Sequence, residues 1–201
     1  MLRDLRGGAI HEVYKITLST RNTGRGEGGG EFCIILLMPA AEKLKISRTA
    51  SVKDLRAAAR RMAASDPWLK LGLDARRCFK SLAAPYRETY SASSGGVHAG
   101  HVTINMNGLL RGYIQVLFVA EGRRGRGVGE GLMRFAEKKI FRDSPNVFLC
   151  VSSFNKGAIR FYRGLGYRKA GLLENFLAKG HDEILMRKTR GPLLSYKTGK
   201  K

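Results

Sequence analysis

One change of texture constrains this chain more than anything else in it. Tyr113–Val119 is an almost unbroken apolar run; Arg123-Arg124-Gly125-Arg126-Gly127-Val128-Gly129 follows closely, and an amphipathic stretch to Phe141 comes next. A short apolar run that ends at glycines reads as a strand buried on both faces. From Gly127 to Phe141, Val128, Leu132, Phe135, Ala136 and Ile140 fall on one side, with Glu130, Arg134, Glu137 and Lys138 largely off it. That is the pattern of a helix with one core face. Pro145-Asn146 ends the helix and Val147–Ser152 supplies another buried strand, so the unit is a right-handed crossover joining parallel strands.

The glycines and arginines sit where the strand hands over to the helix. The first amides of a helix lack intrahelical partners and carry the positive end of its dipole, so this junction suits an anion. Glycine lets backbone approach phosphate oxygens closely, and arginine keeps its charge at any working pH. Spacing then separates the phosphate-binding readings. A dinucleotide fingerprint needs a third glycine where Leu132 stands, and a P-loop needs Gly-Lys-Ser/Thr, which does not occur here. Arg124-x-x-Gly127-x-Gly129 after a strand ending at Val119 remains.

Around this unit the chain alternates between elements. Leu44–Arg48 reads as a strand, Val52–Ala64 and Leu73–Ala83 as helices, and Tyr86–Ala92 and Val97–Asn107 as strands joined at Ser94-Gly95-Gly96. Asn155–Leu165 reads as a further helix, and two closing strands near Tyr167–Leu172 and Glu183–Arg187 complete a mixed α/β sheet. The expected organisation is one catalytic domain over residues 44–192 and a basic tail over 193–201. A flexible extension covers 1–43, where the polar, glycine-rich tract 19–31 cannot bury enough apolar surface to order itself. Met38 offers an alternative start just before the first strand.

A second motif follows the glycine turn at the right distance: Asn155-Lys156-Gly157-Ala158-Ile159-Arg160-Phe161-Tyr162, then Leu165-Gly166-Tyr167. Together the two motifs, in this order, resemble the GCN5-related N-acetyltransferase (GNAT) family, and the resemblance extends over roughly residues 44–192. It implies a mixed, mostly antiparallel sheet whose central parallel strands splay apart, flanked by helices, and an enzyme that moves an acetyl group from acetyl-CoA to an amine by direct attack. It implies a coenzyme pyrophosphate held by Arg124, Gly125, Arg126, Gly127, Val128 and Gly129. The pantetheine arm would pair with the backbone of Leu117, Phe118 and Val119, and the thioester carbonyl would lie near an N–H around Leu117. Asn155 would bond the arm or simply cap its helix. Tyr162 would protonate the departing thiolate, a task suited to a phenol that is neutral at pH 7, or it would serve only as core.

The resemblance leaves the proton acceptor open. Some family members carry a glutamate on the central strand, yet Tyr113–Val119 holds no carboxylate, and Gln115 could only position a water. Glu88 and His101, on neighbouring strands, are the candidate bases. Glu121 stands where the family usually has a proline before the arginines. Trp68, between the first two helices, either plugs the core or lines the acceptor pocket, and Cys150 reads as strand packing.

Lys+Arg number 37 against 16 Asp+Glu, a formal charge of +21. The excess lies almost wholly in residues 44–201. It attracts polyanions, coenzyme A among them, and disfavours strongly cationic acceptors unless Glu88, Glu174, Asp182 and Glu183 gather locally. A nucleic-acid or ribosome-associated module is a competing reading, though aromatic RNA-binding strands and paired zinc spacings are missing; a non-catalytic acyl-CoA sensor is another. Three scattered cysteines suggest neither a disulfide framework nor a zinc site, so no metal is expected and a reducing cytoplasm fits. Phe32–Met38 is too short for the roughly 20 residues that span a bilayer, so no membrane partner is expected.

Overall fold

In the computed structural model, residues 44–196 are described. The expected extension over 1–43, its alternative start at Met38, and the last residues of the basic tail lie outside them. The described elements run β1 (Lys45–Arg48), α1 (Val52–Ala63), α2 (Ala75–Ala83), β2 (Arg87–Ser94), β3 (Val97–Asn105), β4 (Tyr113–Val119), α3 (Val128–Ile140), β5 (Asn146–Ser152), α4 (Lys156–Gly164), β6 (Arg168–Ala178) and β7 (His181–Thr189), with a single 3-10 turn at Glu121–Arg123. The strands form one sheet in the order β1-β2-β3-β4-β5-β7-β6. Every neighbouring pair is antiparallel except β4 and β5.

Two apolar layers clamp this sheet. On one face Leu55, Ala59 and Met62 of α1 and Cys78 and Leu82 of α2 pack with Val116 and Phe118 of β4. On the other, Leu132, Met133 and Ile140 of α3 and Ile159 and Tyr162 of α4 pack with Val102, Leu149 and Met186. The i, i+3, i+4 spacing of those helix positions puts each set on one face, which is why the helices lie flat on the sheet. Gly112 fixes the entry to β4. Its φ is +91°, and a Cβ there would stand 2.3 Å from the Asn146 carbonyl oxygen and 2.6 Å from Ile140, so the chain passes where only glycine fits.

Three elements differ from their sequence reading. Strand β4 is not buried on both faces: Ile114, Val116 and Phe118 are buried while Tyr113, Gln115, Leu117 and Val119 are half-buried. Beyond Ile114 it has left its β5 neighbour, so one side opens onto a cavity. Helix α2 starts at Ala75, because the Asp74 carboxylate accepts from the Arg77 amide (2.7 Å) and caps it there. Strand β6 runs to Ala178, six residues beyond its expected end. It is an irregular edge strand, with Leu172, Phe176 and Leu177 all exposed, so no alternation betrayed its length. No described helix is long and apolar enough to cross a membrane, Cys78 and Cys150 are free thiols, and no cluster of metal-ligating side chains occurs among the described residues.

Candidate active site

The parallel ladder between β4 and β5 sets Tyr113 against Phe148 and Ile114 against Leu149, and goes no further. The outer edges stay paired: Val119, Phe118 and Leu117 face Gly100, His101 and Val102 of β3, while Cys150–Ser152 face β7. The inner edges therefore diverge, and a wedge opens toward the C-terminal ends of both strands.

A cavity of about 910 Å³ occupies this wedge. One end is the turn before α3, where Gly127 is the N-cap at φ +78° and offers no side chain to the first-turn amides. Arg124 folds back from the turn, its Nε donating to the Val119 carbonyl at 3.4 Å. The cavity is lined there by Arg124, Gly125, Gly127 and Gly129, along its side by Leu117, Phe118 and Val119, and at its far end by Asn155 and Tyr162. Thus nine of the residues singled out from sequence meet around one space. Arg126 is exposed on the same turn, and Val128 is buried beneath it in the core, so neither side chain lines the cavity.

Asn155 uses its Oδ1 to accept from the Ala158 amide (3.1 Å), capping α4, which leaves its amide nitrogen as the group able to reach a ligand. Tyr162 is 8% exposed and packs edge-on to Tyr167, with ring centroids 5.9 Å apart. Burial pushes its phenol well above the ordinary tyrosine range, so it holds its proton at neutral pH. Trp68 is half-buried: it tilts against Phe118 at 6.1 Å and also lines the cavity.

A smaller space of about 170 Å³ shares Trp68, Leu117, Asn155 and Tyr162 with the large one and continues inward beyond them. Its walls include Tyr113, Gln115, Cys150, Ser152, Phe176, Leu177 and Glu183. Glu183 is only 2% exposed and accepts a hydrogen bond of 2.5 Å from the Ser152 hydroxyl. Burial raises its carboxyl above the usual carboxylate range, while the Ser152 bond and the nearby His181 pull it down. Burial likewise raises the Cys150 thiol and the Tyr113 phenol, keeping both neutral.

The structure does not bring the two candidate bases to this space. Glu88 takes the Tyr90 hydroxyl hydrogen bond and lies 3.9 Å from Lys139 of α3, where neither cavity reaches. His101 is fully buried, stacked 4.8 Å from Phe118 on the face toward α1, and has no hydrogen-bond partner among the described residues. Burial lowers its pKa to about 3. Nor do the four acidic residues gather: Glu174 is exposed, Asp182 accepts from the Asn175 amide, and Glu183 alone lines the inner space. Its place there was hidden in the sequence because Glu183 lies thirty-one positions from its Ser152 partner.

The sequence matches the model of the acetyltransferase (GNAT) family over residues 49–167. It is 28% identical over 130 residues to the N-alpha-acetyltransferase RimI of Mycobacterium tuberculosis, covering 63% of this chain and 78% of that protein. The fold resembles the ribosomal-protein-S18-alanine N-acetyltransferase of Escherichia coli (TM-score 0.62, 19% identity, 74% of this chain and 95% of that one). It also resembles an aminoglycoside 6'-N-acetyltransferase solved with coenzyme A (TM-score 0.58, 19% identity, 74% and 98%).

Proposed function

Because the chain belongs to the GNAT acetyltransferase family and is an N-acetyltransferase, we propose that it transfers an acetyl group from acetyl-CoA to a primary amine by direct attack within the wedge. The observation that carries this reading is the continuity of the large cavity, from the uncapped start of α3 to Tyr162, along the unpaired edge of β4. Diphosphate oxygens fit the first-turn amides of α3, with Arg124 and Arg126 supplying charge and Gly125, Gly127, Val128 and Gly129 supplying backbone. The edge of Leu117–Val119 offers main-chain groups to the pantetheine amides in the manner of an added strand, and Asn155 offers its amide from the opposite side. An N–H at Leu117 suits the thioester carbonyl, where negative charge develops during attack.

Tyr162 borders both spaces and holds a proton, which equips it to protonate the departing sulfur as the C–S bond breaks. The acceptor amine enters the inner space from the other side. That space is small, and the chain carries +21 overall, so the reading favours a single amine on an uncharged or modestly charged body over a polycation. The α-amine of a peptide meets that description, and the mycobacterial relative is an N-alpha-acetyltransferase.

The test pairs calorimetry with thiol release. Coenzyme A is expected to bind the full chain, and acetyl-CoA to release thiol with an alanyl peptide in preference to a polyamine or an aminoglycoside. Gly127→Val places a branched side chain at a left-handed φ, costing about 1–2 kcal/mol in the turn, and is expected to weaken coenzyme A at least tenfold. Absence of coenzyme A binding, or indifference to Gly127→Val, would overturn the assignment.

A further inference from the structure

The geometry points to Glu183, carried on β7 beside the splayed pair, as the base that takes the proton from the acceptor ammonium. This inference rests on the acetyl-transfer reading above. An ammonium must lose a proton before its nitrogen can attack, and the two spaces meet at Leu117 and Tyr162, where the thioester belongs. Beyond that junction Glu183 is the only carboxylate in the wall among the described residues.

The surroundings of Glu183 leave it that task. Tyr113 faces it from β4 and Cys150 from β5, and both are held neutral by burial. Tyr162 reaches the same space from α4 with its proton retained. Phe176 and Leu177 of β6, and Trp68, Leu71 and Leu73 between α1 and α2, bring no titrating group. His181, on its own strand, is near enough that its charge favours the carboxylate form. Ser152 donates one hydrogen bond to a carboxylate oxygen and so orients the group across the β5–β7 ladder, where Ser152 and Glu183 are direct partners. Burial raises the proton affinity of this carboxylate, which brings a base closer to the pH at which it works.

The proton balance closes. One ammonium proton goes to the Glu183 carboxylate and the freed lone pair forms the N–C bond at the thioester carbon. The tetrahedral adduct expels sulfur, which takes a proton from Tyr162. The nitrogen's second proton returns to the tyrosine oxygen, and Glu183 gives its proton to solvent.

The experiment measures kcat/KM against pH for acetyl-CoA with the alanyl peptide, alongside coenzyme A affinity and melting temperature. Glu183→Gln keeps the shape and can still meet Ser152. It is expected to lower kcat/KM at least 100-fold at pH 7 with coenzyme A affinity kept within threefold, and to replace the acid limb set by the carboxyl with one set by the amine itself. The residual rate should climb with pH as the amine deprotonates by itself. Ser152→Ala removes a bond that favours the ionised form, so the acid limb should move to higher pH; His181→Asn should move it the same way without removing it. A Glu183→Gln rate within threefold of the parent, an unmoved limb in Ser152→Ala, or a limb that vanishes with His181, overturns the assignment to Glu183. If Glu183→Gln does not fold, the Ser152→Ala limb decides alone. A parent enzyme that binds no coenzyme A and releases no thiol overturns the acetyl-transfer reading instead.

Discussion

Acidification should cost this fold about 3 kcal/mol between pH 7 and pH 4 through His101 alone. The imidazole is fully buried against Phe118, neither nitrogen has a hydrogen-bond partner among the described residues, and His98 lies 5.6 Å away ring to ring. Its pKa falls from 6.5 to about 3, chiefly by burial, with His98 and Arg61 adding repulsion. A base whose native pKa is depressed binds protons in the unfolded chain first. The associated stability is therefore present above pH 6.5 and drains away as pH falls toward 3. At pH 4 the unfolded chain is favoured over about 2.5 pH units at roughly 1.4 kcal/mol each, giving the figure above. With a urea slope of about 2 kcal/mol per molar, the midpoint should fall by roughly 1.5 M. His98 is shifted the same way by burial, whereas Glu183, whose carboxyl is raised, is relieved by acid and opposes the trend. The clean measurement is a difference: urea unfolding of the parent and of His101→Leu at both pH values. General charge repulsion on a chain of +21 is common to both proteins and cancels. The variant should keep about 3 kcal/mol more of its neutral stability at pH 4. A variant that loses as much as the parent would refute the reasoning.

Two further outcomes can be checked directly. Gly112→Ala drives a Cβ into the Asn146 carbonyl and Ile140 at a positive φ, so thermal or urea unfolding should show a loss of at least about 3 kcal/mol; a loss under about 1 kcal/mol would contradict the close approach. Tyr162→Phe should retain coenzyme A affinity and melting temperature while kcat falls about 100-fold, whereas parallel loss of folding and binding would mark the tyrosine as packing.

The large cavity was legible in the sequence because its parts are local. Tyr113–Val119 and Gly125–Gly129 adjoin in the chain, and Asn155 caps the helix that carries Tyr162, so each part could be read locally, and the resemblance to the family joined them into one site. The inner space was not legible, because its carboxylate, hydroxyl and thiol come from strands that meet only through long-range pairing of β5 with β7. Glu88 and His101 were plausible as polar residues on strands near β4. Which face each occupies depends on register, and the bulges in β2 and β3 near Ala92 and Thr103 are invisible to alternation. The length of β6 escaped for a related reason, since an edge strand exposed on its flank has no buried face to print a pattern.

The gap between β4 and β5 has a consequence for how such a protein tolerates change. Its inner rims are main-chain amides and carbonyls, which every residue but proline carries alike. Drift at Leu117, Val119 or Cys150 can therefore reshape the walls while the rims keep offering the same donors and acceptors. A chain built this way is free to alter its choice of amine without surrendering its grip on the acyl donor.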